Sequence, residues 1–444
     1  MHRWCRNLLV ALALVPLGCA GSSDSSRSPQ AFNWQQFKGT TIQVRLRNTP
    51  WAQATVKYIA DFEELTGIKV DARVFNQGEL WTLLDADLGA PGRVDVYSSV
   101  PALDGRRYLV GGSVLPINDY LRDHKLTLAD YQWEDFFPKF RAGVEIDGAI
   151  LGPPIMAENL ALIYRKDVFQ QYKVSVPRTL EDLEAAARLL NRKPFGPQGT
   201  PGFALVGRGK GPGVTGLYAS LLQTLGGTWL DANGEATING PQSLAALDWM
   251  RRLLGSYAPP DVASYDYPEA IKLFSEGRAA MYIDGSSIYP LLDQTALAPQ
   301  VGYASFPAGP KESGTVATLA LTINKRSFNP GAAWLFVQWA TSREMVHKAL
   351  MHGVLVARES AWQDKMAREE VPADLAQTYQ LAGKAGFPVW APPIIEVTEA
   401  REALGKLITT TLQGGNIRAA ADETQLRFQQ LIAHGRAQTR TGTP

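Results

Sequence analysis

The chain is poor in cysteine and histidine. Its 444 residues include only two cysteines, Cys5 and Cys19, and five histidines. Because both cysteines fall within the first 19 residues, the body of the protein cannot hold an internal disulfide and depends on its hydrophobic core for stability. His347 and His352 are five residues apart and would not share one helix face. We therefore expect no transition-metal site.

The chain also lacks a strong net charge and a long apolar run. It carries 44 Lys and Arg against 43 Asp and Glu, a formal net charge of +1. This balance provides no long-range attraction to nucleic acid or to an anionic membrane, so neither is expected as a partner. No stretch after Cys19 approaches the ~20 apolar residues that span a bilayer. The length suffices for two or three globular domains.

The first 19 residues predict export. Two arginines precede an apolar run over residues 8–18, which ends in a glycine before Cys19. A basic start, a short apolar core and a small residue before the cut are typical of a secretion signal. The pattern resembles a bacterial lipoprotein signal, in which Cys19 would become the lipidated first residue. Pro16 stands where that pattern usually has Leu, so cleavage nearby without lipidation is the alternative.

This interpretation divides the start of the chain into a signal peptide, residues 1–19, and a Ser-rich flexible tether, residues 20–36. The mature protein is then expected outside the cytoplasm, attached to the membrane through its lipid anchor only. ATP and nicotinamide cofactors are not supplied there, which excludes most classes of enzyme, and we expect no cofactor.

Strands and helices alternate along the remaining chain, which predicts an α/β fold with a mostly parallel sheet. A Thr179 cap with Asp182 begins one of the helices, and Asn329 followed by Pro330 begins another. The predicted strands are 41–46, 68–75, 94–97, 160–165, 202–206, 279–283 and 316–323, with an extended segment at 149–154. The predicted helices are 51–66, 79–88, one after Thr179, 214–225, 243–254, 268–276, one from 330, and those of the tail, 391–433.

Four segments carry a family resemblance, and their order is more specific than any one of them. They are 54–70; 152–155 with 159–169; 274–281; and 321–339 with 353–356. In this order they resemble the extracellular solute-binding proteins of ABC importers, in the family-1 carbohydrate branch that includes maltose-binding proteins.

The resemblance implies a two-lobed fold of the type II periplasmic-binding-protein kind, with crossover strands between the lobes. It predicts an N-terminal lobe of residues 37–151 and 318–356 and a C-terminal lobe of 152–317 and 357–436. A ligand would bind in the cleft, the lobes would close on it, and a monomer would deliver it to the transmembrane subunits of an ABC permease.

Candidate ligand contacts follow from where such sheets place their ligands, beyond the carboxyl ends of strands. Sugars and polyols need aromatic faces against C–H surfaces and polar groups for each buried hydroxyl. Glu158 and residues 284–287 also match positions where the family often contacts its ligand. The candidates are Asn48, Trp51, Asn76, Gln77, Glu79, Tyr97, Ser98, Ser99, Glu158, Trp229, Asp231, Asp284, Gly285, Ser286, Ser287 and Trp390.

Each candidate also has a structural interpretation. The three tryptophans fit a lobe core as well as a ligand platform. Asn76 and Gln77 suit a turn, and Glu158 and Asp284 suit the satisfaction of backbone groups at a crossover. Arg45 and Arg47 are expected on a solvated strand face.

Residues 211–216 match G-x-G-x-x-G, which elsewhere marks a dinucleotide site. The acidic residue about 20 positions downstream, Asp231, lies in a predicted turn and not at a strand end, and the chain is predicted to be exported. We therefore interpret the segment as a flexible Gly-rich loop. Arg208 and Lys210 beside it remain possible contacts for an anionic ligand.

The leading hypothesis is a binding protein, not an enzyme, for a neutral sugar, oligosaccharide or polyol. The candidate contacts are aromatic, amide, acidic and hydroxyl groups, which suit neutral hydroxyls. The alternatives are a binding protein for a phosphorylated or otherwise anionic solute, an exported glycoside-active enzyme, and an accessory receptor for signalling. A phosphate would require Arg or Lys in the cleft, and a glycosidase would require two suitably spaced carboxylates.

Overall fold

A computed structural model describes residues 31–309 and 314–441 of the chain. The signal peptide, Cys19 and most of the tether lie outside the described residues. At the end of the predicted tether, Trp34 packs against the hydrophobic core together with Phe37. A Cβ at Gly331 would lie 2.2 Å from Cζ of Phe37, so this ring rests on the backbone of the body. The packed body therefore begins a few residues before position 37.

The described residues form ten strands and eighteen α-helices. The strands are β1 Thr41–Arg47, β2 Lys69–Phe75, β3 Val96–Ser99, β4 Glu145–Ile146, β5 Ala149–Ile150, β6 Pro154–Arg165, β7 Phe203–Val206, β8 Ala279–Gly285, β9 Val301–Ser305 and β10 Val316–Ile323. The helices are α1 Pro50–Val56, α2 Ile59–Thr66, α3 Gln77–Asp87, α4 Arg106–Val110, α5 Asn118–Arg122, α6 Pro138–Ala142, α7 Lys166–Tyr172, α8 Leu180–Leu190, α9 Thr215–Thr224, α10 Pro241–Tyr257, α11 Tyr267–Ser275, α12 Tyr289–Asp293, α13 Pro330–Ala340, α14 Arg343–Leu350, α15 Lys365–Arg368, α16 Ala373–Ala385, α17 Val397–Leu412 and α18 Ile417–Thr441.

The strands form one long sheet in the order β2-β1-β3-β10-β6-β8-β7, with β9 also paired to β6. We call the part around β1, β2 and β3 the N-terminal lobe and the part around β7, β8 and β9 the C-terminal lobe. Pairing is parallel among β1, β2 and β3 and between β7 and β8. The strands that connect the lobes are antiparallel to their neighbours.

Strand β6 is the longest connection between the lobes. Its first half, as far as Asn159, pairs with β10, and from Leu160 onward it pairs with β8 and β9. The strand changes partners between these two residues, and Glu158 lies one residue before the change. We call this point of β6 the hinge, because the strand leaves the sheet of one lobe here and joins that of the other.

Several local predictions are confirmed. Thr179 and Asp182 exchange the two hydrogen bonds of a capping box at α8. Gly67 ends α2 with φ of 69°, a left-handed conformation that suits glycine. The single helix predicted over 51–66 is wrong, because Lys57 and Tyr58 separate α1 from α2. That break lets the Tyr58 ring contact Lys348 at 4.7 Å.

Three apolar cores support the lobes. The largest surrounds α13 in the N-terminal lobe and continues across the connecting strands, and a small one lies beneath α3. The second fills the C-terminal lobe between α8, α9, α10, α17 and α18. The predicted lobe boundaries at 151, 317 and 356 stay predictions. Within the described residues, none of the helices combines the length and apolarity that crossing a membrane would require.

Candidate functional site

A cleft of about 450 Å³ lies between the lobes, where β6 and β10 cross. Its N-terminal wall consists of Arg47, Gln77, Val100 and Leu103. Its floor consists of Glu158, Leu160, Thr315, Ala317 and Leu319. Its C-terminal wall consists of Arg208, Gly213, Gly216, Tyr267, Asp284, Gly285, Ser287, Ile288, Leu291, Trp390 and Arg401.

A second groove of about 500 Å³ lies between α17 and α18. Its lining includes Glu399, Lys406 and Arg427, and all of its lining residues come from α17 and α18. We place the functional site in the interlobe cleft because the carboxyl ends of parallel strands meet there and charged groups converge on it.

The C-terminal wall is built around an ion pair between Arg208 and Asp284. Arg208 Nε donates to Asp284 Oδ2 at 3.0 Å, and its Nη2 donates to Oδ1 at 2.8 Å. Asp284 is only 5% exposed, and it also accepts from the Tyr282 hydroxyl and from the Gly285 amide at 2.7 Å. Burial alone would lower the pKa of Arg208, but the Asp284 carboxylate outweighs it and the pKa is raised above its ordinary value. The pair is therefore held in place by its own hydrogen bonds before a ligand binds.

At the hinge, Glu158 contacts the C-terminal wall through Ser287. The Ser287 hydroxyl donates to Oε1 of Glu158. A Cβ at Gly285 would lie 2.2 Å from the same oxygen, so only glycine leaves room for the carboxylate to cross β8. Hinge and wall are thus joined by one carboxylate.

Arg401 extends the C-terminal wall from α17. Its Nε donates to Thr215 Oγ1 at 3.2 Å, its Nη2 donates to the Pro212 carbonyl at 2.8 Å, and its guanidinium lies 5.1 Å from the ring centre of Trp390. These partners are all neutral. Burial, and secondarily the charge of Arg208, lower the pKa of Arg401 to about 10.

The N-terminal wall carries fewer fixed contacts. Arg47, at the end of β1, is half-buried, and within the described residues its side chain has no ion pair or hydrogen bond. Burial lowers its pKa, opposed by the charges of Glu158 and Asp104.

Asp104 lies behind that wall and is 2% exposed. Its Oδ2 accepts from Val100 N at 3.1 Å and from Trp81 Nε1 at 3.4 Å, while Oδ1 is buried without a partner. Burial raises the pKa of Asp104 to about 7, against the lowering by these hydrogen bonds and by Arg107 and Arg47.

Six of the residues singled out from the sequence line the cleft. They are Gln77, Glu158, Asp284, Gly285, Ser287 and Trp390. Two of the strands are longer than predicted. Glu158 lies inside β6 and not before it, while Asp284 and Gly285 are the last residues of β8.

Four other candidates are corrected because they belong to cores or to a surface turn. Trp51 is 0% exposed within the N-terminal core, and Tyr97 is buried against Tyr108. Trp229 is 2% exposed, packs on Tyr218 and donates to the Val389 carbonyl at 3.0 Å. Asp231 lies in a surface turn, where its Oδ1 accepts from Asn233 N and Glu235 N.

The remaining candidates make local hydrogen bonds and are not among the residues that line the cleft, so their roles stay predictions. Asn76 N donates to Glu79 at the start of α3, and Asn48 accepts from the Gln53 side chain. Ser98 Oγ accepts from Arg47 N, Ser99 bonds Thr322, and Ser286 Oγ accepts from Asn159 N. Small polar residues at these strand ends provide hydrogen-bond partners for nearby backbone and side-chain groups.

Sequence reasoning missed Arg47, Tyr267 and Arg401, and gave Arg208 only a minor role. Arg45 and Arg47 were both expected on a solvated face, which is wrong. Arg45 is 7% exposed and bonds Asp71, while Arg47 faces the cleft. The one available signal was the position of Arg47 at a strand end.

The Gly-rich segment 211–216 is not an open loop, because residues 212–214 form a helical turn that leads into α9. A Cβ at Gly405 of α17 would lie 2.7 Å from the Gly211 carbonyl oxygen, so the two backbones touch. Gly213 and Gly216 line the cleft, immediately before and within the start of α9. The segment thus presents a helix start to the cleft.

Three sequence comparisons relate this chain to known proteins. A sequence model of the bacterial extracellular solute-binding proteins matches residues 48–346. The erythritol/L-threitol-binding protein of Mycolicibacterium smegmatis is 26% identical over 393 residues, which are 79% of this chain and 80% of that protein. The mannitol-binding protein of Pseudomonas aeruginosa is 31% identical over 268 residues, 59% of this chain and 58% of that protein.

Solved structures share the fold. A solute-binding protein of Agrobacterium radiobacter in complex with ribitol superposes with a TM-score of 0.72 at 25% identity, covering 89% of this chain and 99% of that one. The sugar-binding protein MalE of Xanthomonas citri gives a TM-score of 0.73 at 20% identity, covering 90% and 98%.

Proposed function

The chain belongs to the family of bacterial extracellular solute-binding proteins, and from this premise we propose that it captures a polyol or short sugar in its interlobe cleft and delivers it to an ABC permease. The names of its relatives support this ligand class. They include proteins for erythritol or L-threitol and for mannitol, and the similar Agrobacterium structure holds ribitol.

One observation carries the proposal: fixed donors and acceptors converge in the cleft from the C-terminal wall and the hinge, opposite Arg47 of the N-terminal wall. The Arg208–Asp284 pair and the Ser287–Glu158 contact hold their side chains in place before any ligand arrives. Adjacent hydroxyls need donors and acceptors a few ångströms apart, and a buried hydroxyl without them costs roughly 1–3 kcal/mol. Trp390 adds an aromatic surface for the C–H face of the ligand.

Capture depends on the hinge. Because β6 and β10 connect the lobes, a ligand that touches Arg47 on one wall and Arg208 on the other stabilises the closed arrangement. A cleft of about 450 Å³ lies within the usual range for small-molecule sites. The permease would then recognise the closed form.

Binding without turnover is also part of the proposal. Glycoside hydrolysis requires one carboxyl as acid and another as base or nucleophile. Of the two carboxylates that line the cleft, Asp284 is held by Arg208, Tyr282 and the Gly285 amide, which leaves it no free role as an acid. This arrangement supports a receptor.

A lipid anchor on Cys19 completes the proposal and rests on the signal pattern of residues 1–19. Expression in a bacterial host with radiolabelled palmitate tests it. The wild-type protein should carry label and sediment with membranes, and Cys19→Ala should do neither. An unlabelled wild-type protein would exclude the anchor.

The proposed ligand class is tested by thermal shift and calorimetry with four- to six-carbon polyols, monosaccharides and disaccharides. A true ligand should raise Tm by mass action and bind with a Kd near the micromolar range, about −8 kcal/mol. Chromatography after prolonged incubation should recover the ligand unchanged. Cleaved or altered product, or no binding across the panel, would overturn the proposal.

A further inference from the structure

Two of the three arginines in the cleft have no carboxylate partner. Arg208 is paired with Asp284. Within the described residues, Arg47 makes no side-chain hydrogen bond, and Arg401 contacts only a hydroxyl, a carbonyl and an aromatic ring. Neutral polyols do not require such unpaired cations.

The two unpaired arginines approach from opposite walls. Arg47 ends β1 in the N-terminal lobe, and Arg401 extends from α17 on the C-terminal side. Glu158 and Asp284 also line the cleft, and Asp266 lies 3.9 Å from Arg208 Nη1. The carboxylates Asp284 and Asp266 therefore pair with Arg208, while Arg47 and Arg401 keep no ion-pair partner within the described residues.

The Gly-rich segment adds to this positive end. The ten-residue helix α9 begins beside the cleft, and no side chain caps its first turn. Helix starts carry a partial positive charge and attract anions. Arg401 is bonded to the same turn through Pro212 and Thr215, so the free cation and the helix start form one surface.

The position of Arg401 beside the cleft is unfavourable for its positive charge. Its surroundings disfavour the charged form, first through burial and then through the neighbouring Arg208, which lowers its pKa to about 10. An anionic oxygen placed against the guanidinium would reverse this effect. A planar guanidinium matches a carboxylate with two parallel hydrogen bonds.

We propose that the preferred ligand is a polyol chain with one end oxidised to a carboxylate, a polyhydroxy acid of the aldonic type. Its carboxylate would lie against Arg401 and the start of α9, its hydroxyls against Arg208 and Glu158, and Arg47 would close over it. This inference rests on the proposed function and narrows its ligand class. The single unpaired guanidinium of Arg401 matches a monoanionic carboxylate, whereas a phosphate monoester carries nearly two negative charges at neutral pH.

Titration calorimetry on three six-carbon ligands tests the inference: D-mannitol, D-mannonate and D-mannitol 1-phosphate. D-mannonate should bind at least tenfold more tightly than D-mannitol, and its affinity should fall with added salt while that of D-mannitol stays nearly constant. The same comparison for ribitol and ribonate removes dependence on one chain length.

Variants locate the effect. Arg401→Gln should weaken D-mannonate binding by tenfold or more and D-mannitol binding much less, while Arg401→Lys should keep part of the preference because it keeps the charge. Arg427→Gln, exposed on α18, is the matched control and should change neither affinity. The Tm of each ligand-free variant reports whether it is folded.

Each other outcome has a definite meaning. Equal binding of D-mannitol and D-mannonate, or tighter binding of D-mannitol, overturns the inference and leaves the proposed function intact. Tightest binding of the phosphate ester overturns the carboxylate assignment. An equal loss for both ligands in Arg401→Gln means that the residue serves hydroxyls or packing. Failure of all the polyols, aldonates and sugars overturns the proposed function itself.

Discussion

The two walls of the cleft differ in how completely their polar groups are satisfied without a ligand. On the C-terminal wall, Asp284 accepts from Arg208, Tyr282 and its own neighbour Gly285. On the N-terminal side, the Arg47 side chain has no partner within the described residues, and one oxygen of Asp104 is buried without a hydrogen bond.

This contrast suggests a division of labour. A wall whose side chains are already fixed loses little conformational entropy on binding, so the C-terminal wall is suited to the first encounter. A wall with unused hydrogen-bonding capacity gains contacts only when ligand and lobe come together, so the N-terminal wall is suited to closure. Four changes test this division, beginning with the largest expected effect.

Breaking the fixed pair should have the largest effect. Asp284→Asn removes the charge that compensates Arg208 in a buried site, and losing one partner of such a pair typically costs about 3–5 kcal/mol. We expect loss of affinity by 100-fold or more in calorimetry and a clearly lower urea midpoint. Asp147→Asn, at the exposed Arg106–Asp147 pair, should change both very little. Similar losses of affinity and stability in the two variants would show that burial gives the Arg208–Asp284 pair no special importance.

The C-terminal wall was also the more predictable from sequence. Asp284, Gly285 and Ser287 are close together in the chain at the end of one apolar strand, so locating the strand locates them. Arg401 gave no such signal, because it reaches the cleft only through the packing of α17 against the 211–216 segment.

On the N-terminal wall, alternation placed Arg45 and Arg47 on one strand face but could not say what covers that face. The neighbouring Asp71 on β2 covers Arg45, and the cleft receives Arg47. The prediction of Trp51 and Trp229 as ligand contacts met a related difficulty. Trp51 and Trp229 suit a core and a ligand surface equally well until the tertiary fold decides.

The strand–helix alternation predicted the α/β architecture, since periodicity depends only on local burial. It missed the full length of β6, whose apolar run includes Glu158 at the point where the strand passes from one lobe to the other. A polar residue such as Glu158 can be assigned to the inside of a strand only when the path of that strand between the lobes is known.

Asp104 supplies the second test, through pH. Its pKa is about 7 in the folded protein and near 4 when unfolded, so between these values the folded state binds more protons. Its contribution to stability is therefore full below pH 4 and is lost as pH rises to 7, by up to about 4 kcal/mol. Urea unfolding of wild type and Asp104→Asn should show this as a pH-dependent difference. Parallel curves over pH 4–7 would contradict the assignment.

Arg47→Gln should have a smaller effect that appears in affinity alone. Losing one closing contact should weaken binding by about tenfold, mainly through faster dissociation, because mutations within one site act mostly on the off-rate. Stability should stay level or rise, since a half-buried unpaired cation is removed. Arg45→Gln, two residues away, is the opposite control, because breaking its bond to Asp71 should lower stability and keep affinity. A stability loss in Arg47→Gln would mean that its charge is already compensated.

The smallest effect is expected at Ser287, where hinge and wall meet. Ser287→Ala removes one hydrogen bond to Glu158, worth about 1 kcal/mol, and should weaken binding three- to tenfold in calorimetry while leaving the fold intact. Its neighbour Ser286 faces the other way, is 0% exposed and accepts from Asn159 N, so Ser286→Ala should lower the urea midpoint and leave affinity unchanged. If the two variants changed affinity and urea midpoint in the same way, the Ser287–Glu158 hydrogen bond would have no specific role in binding. Opposite behaviour in adjacent serines would show that the fixed contacts of the C-terminal wall extend into the hinge.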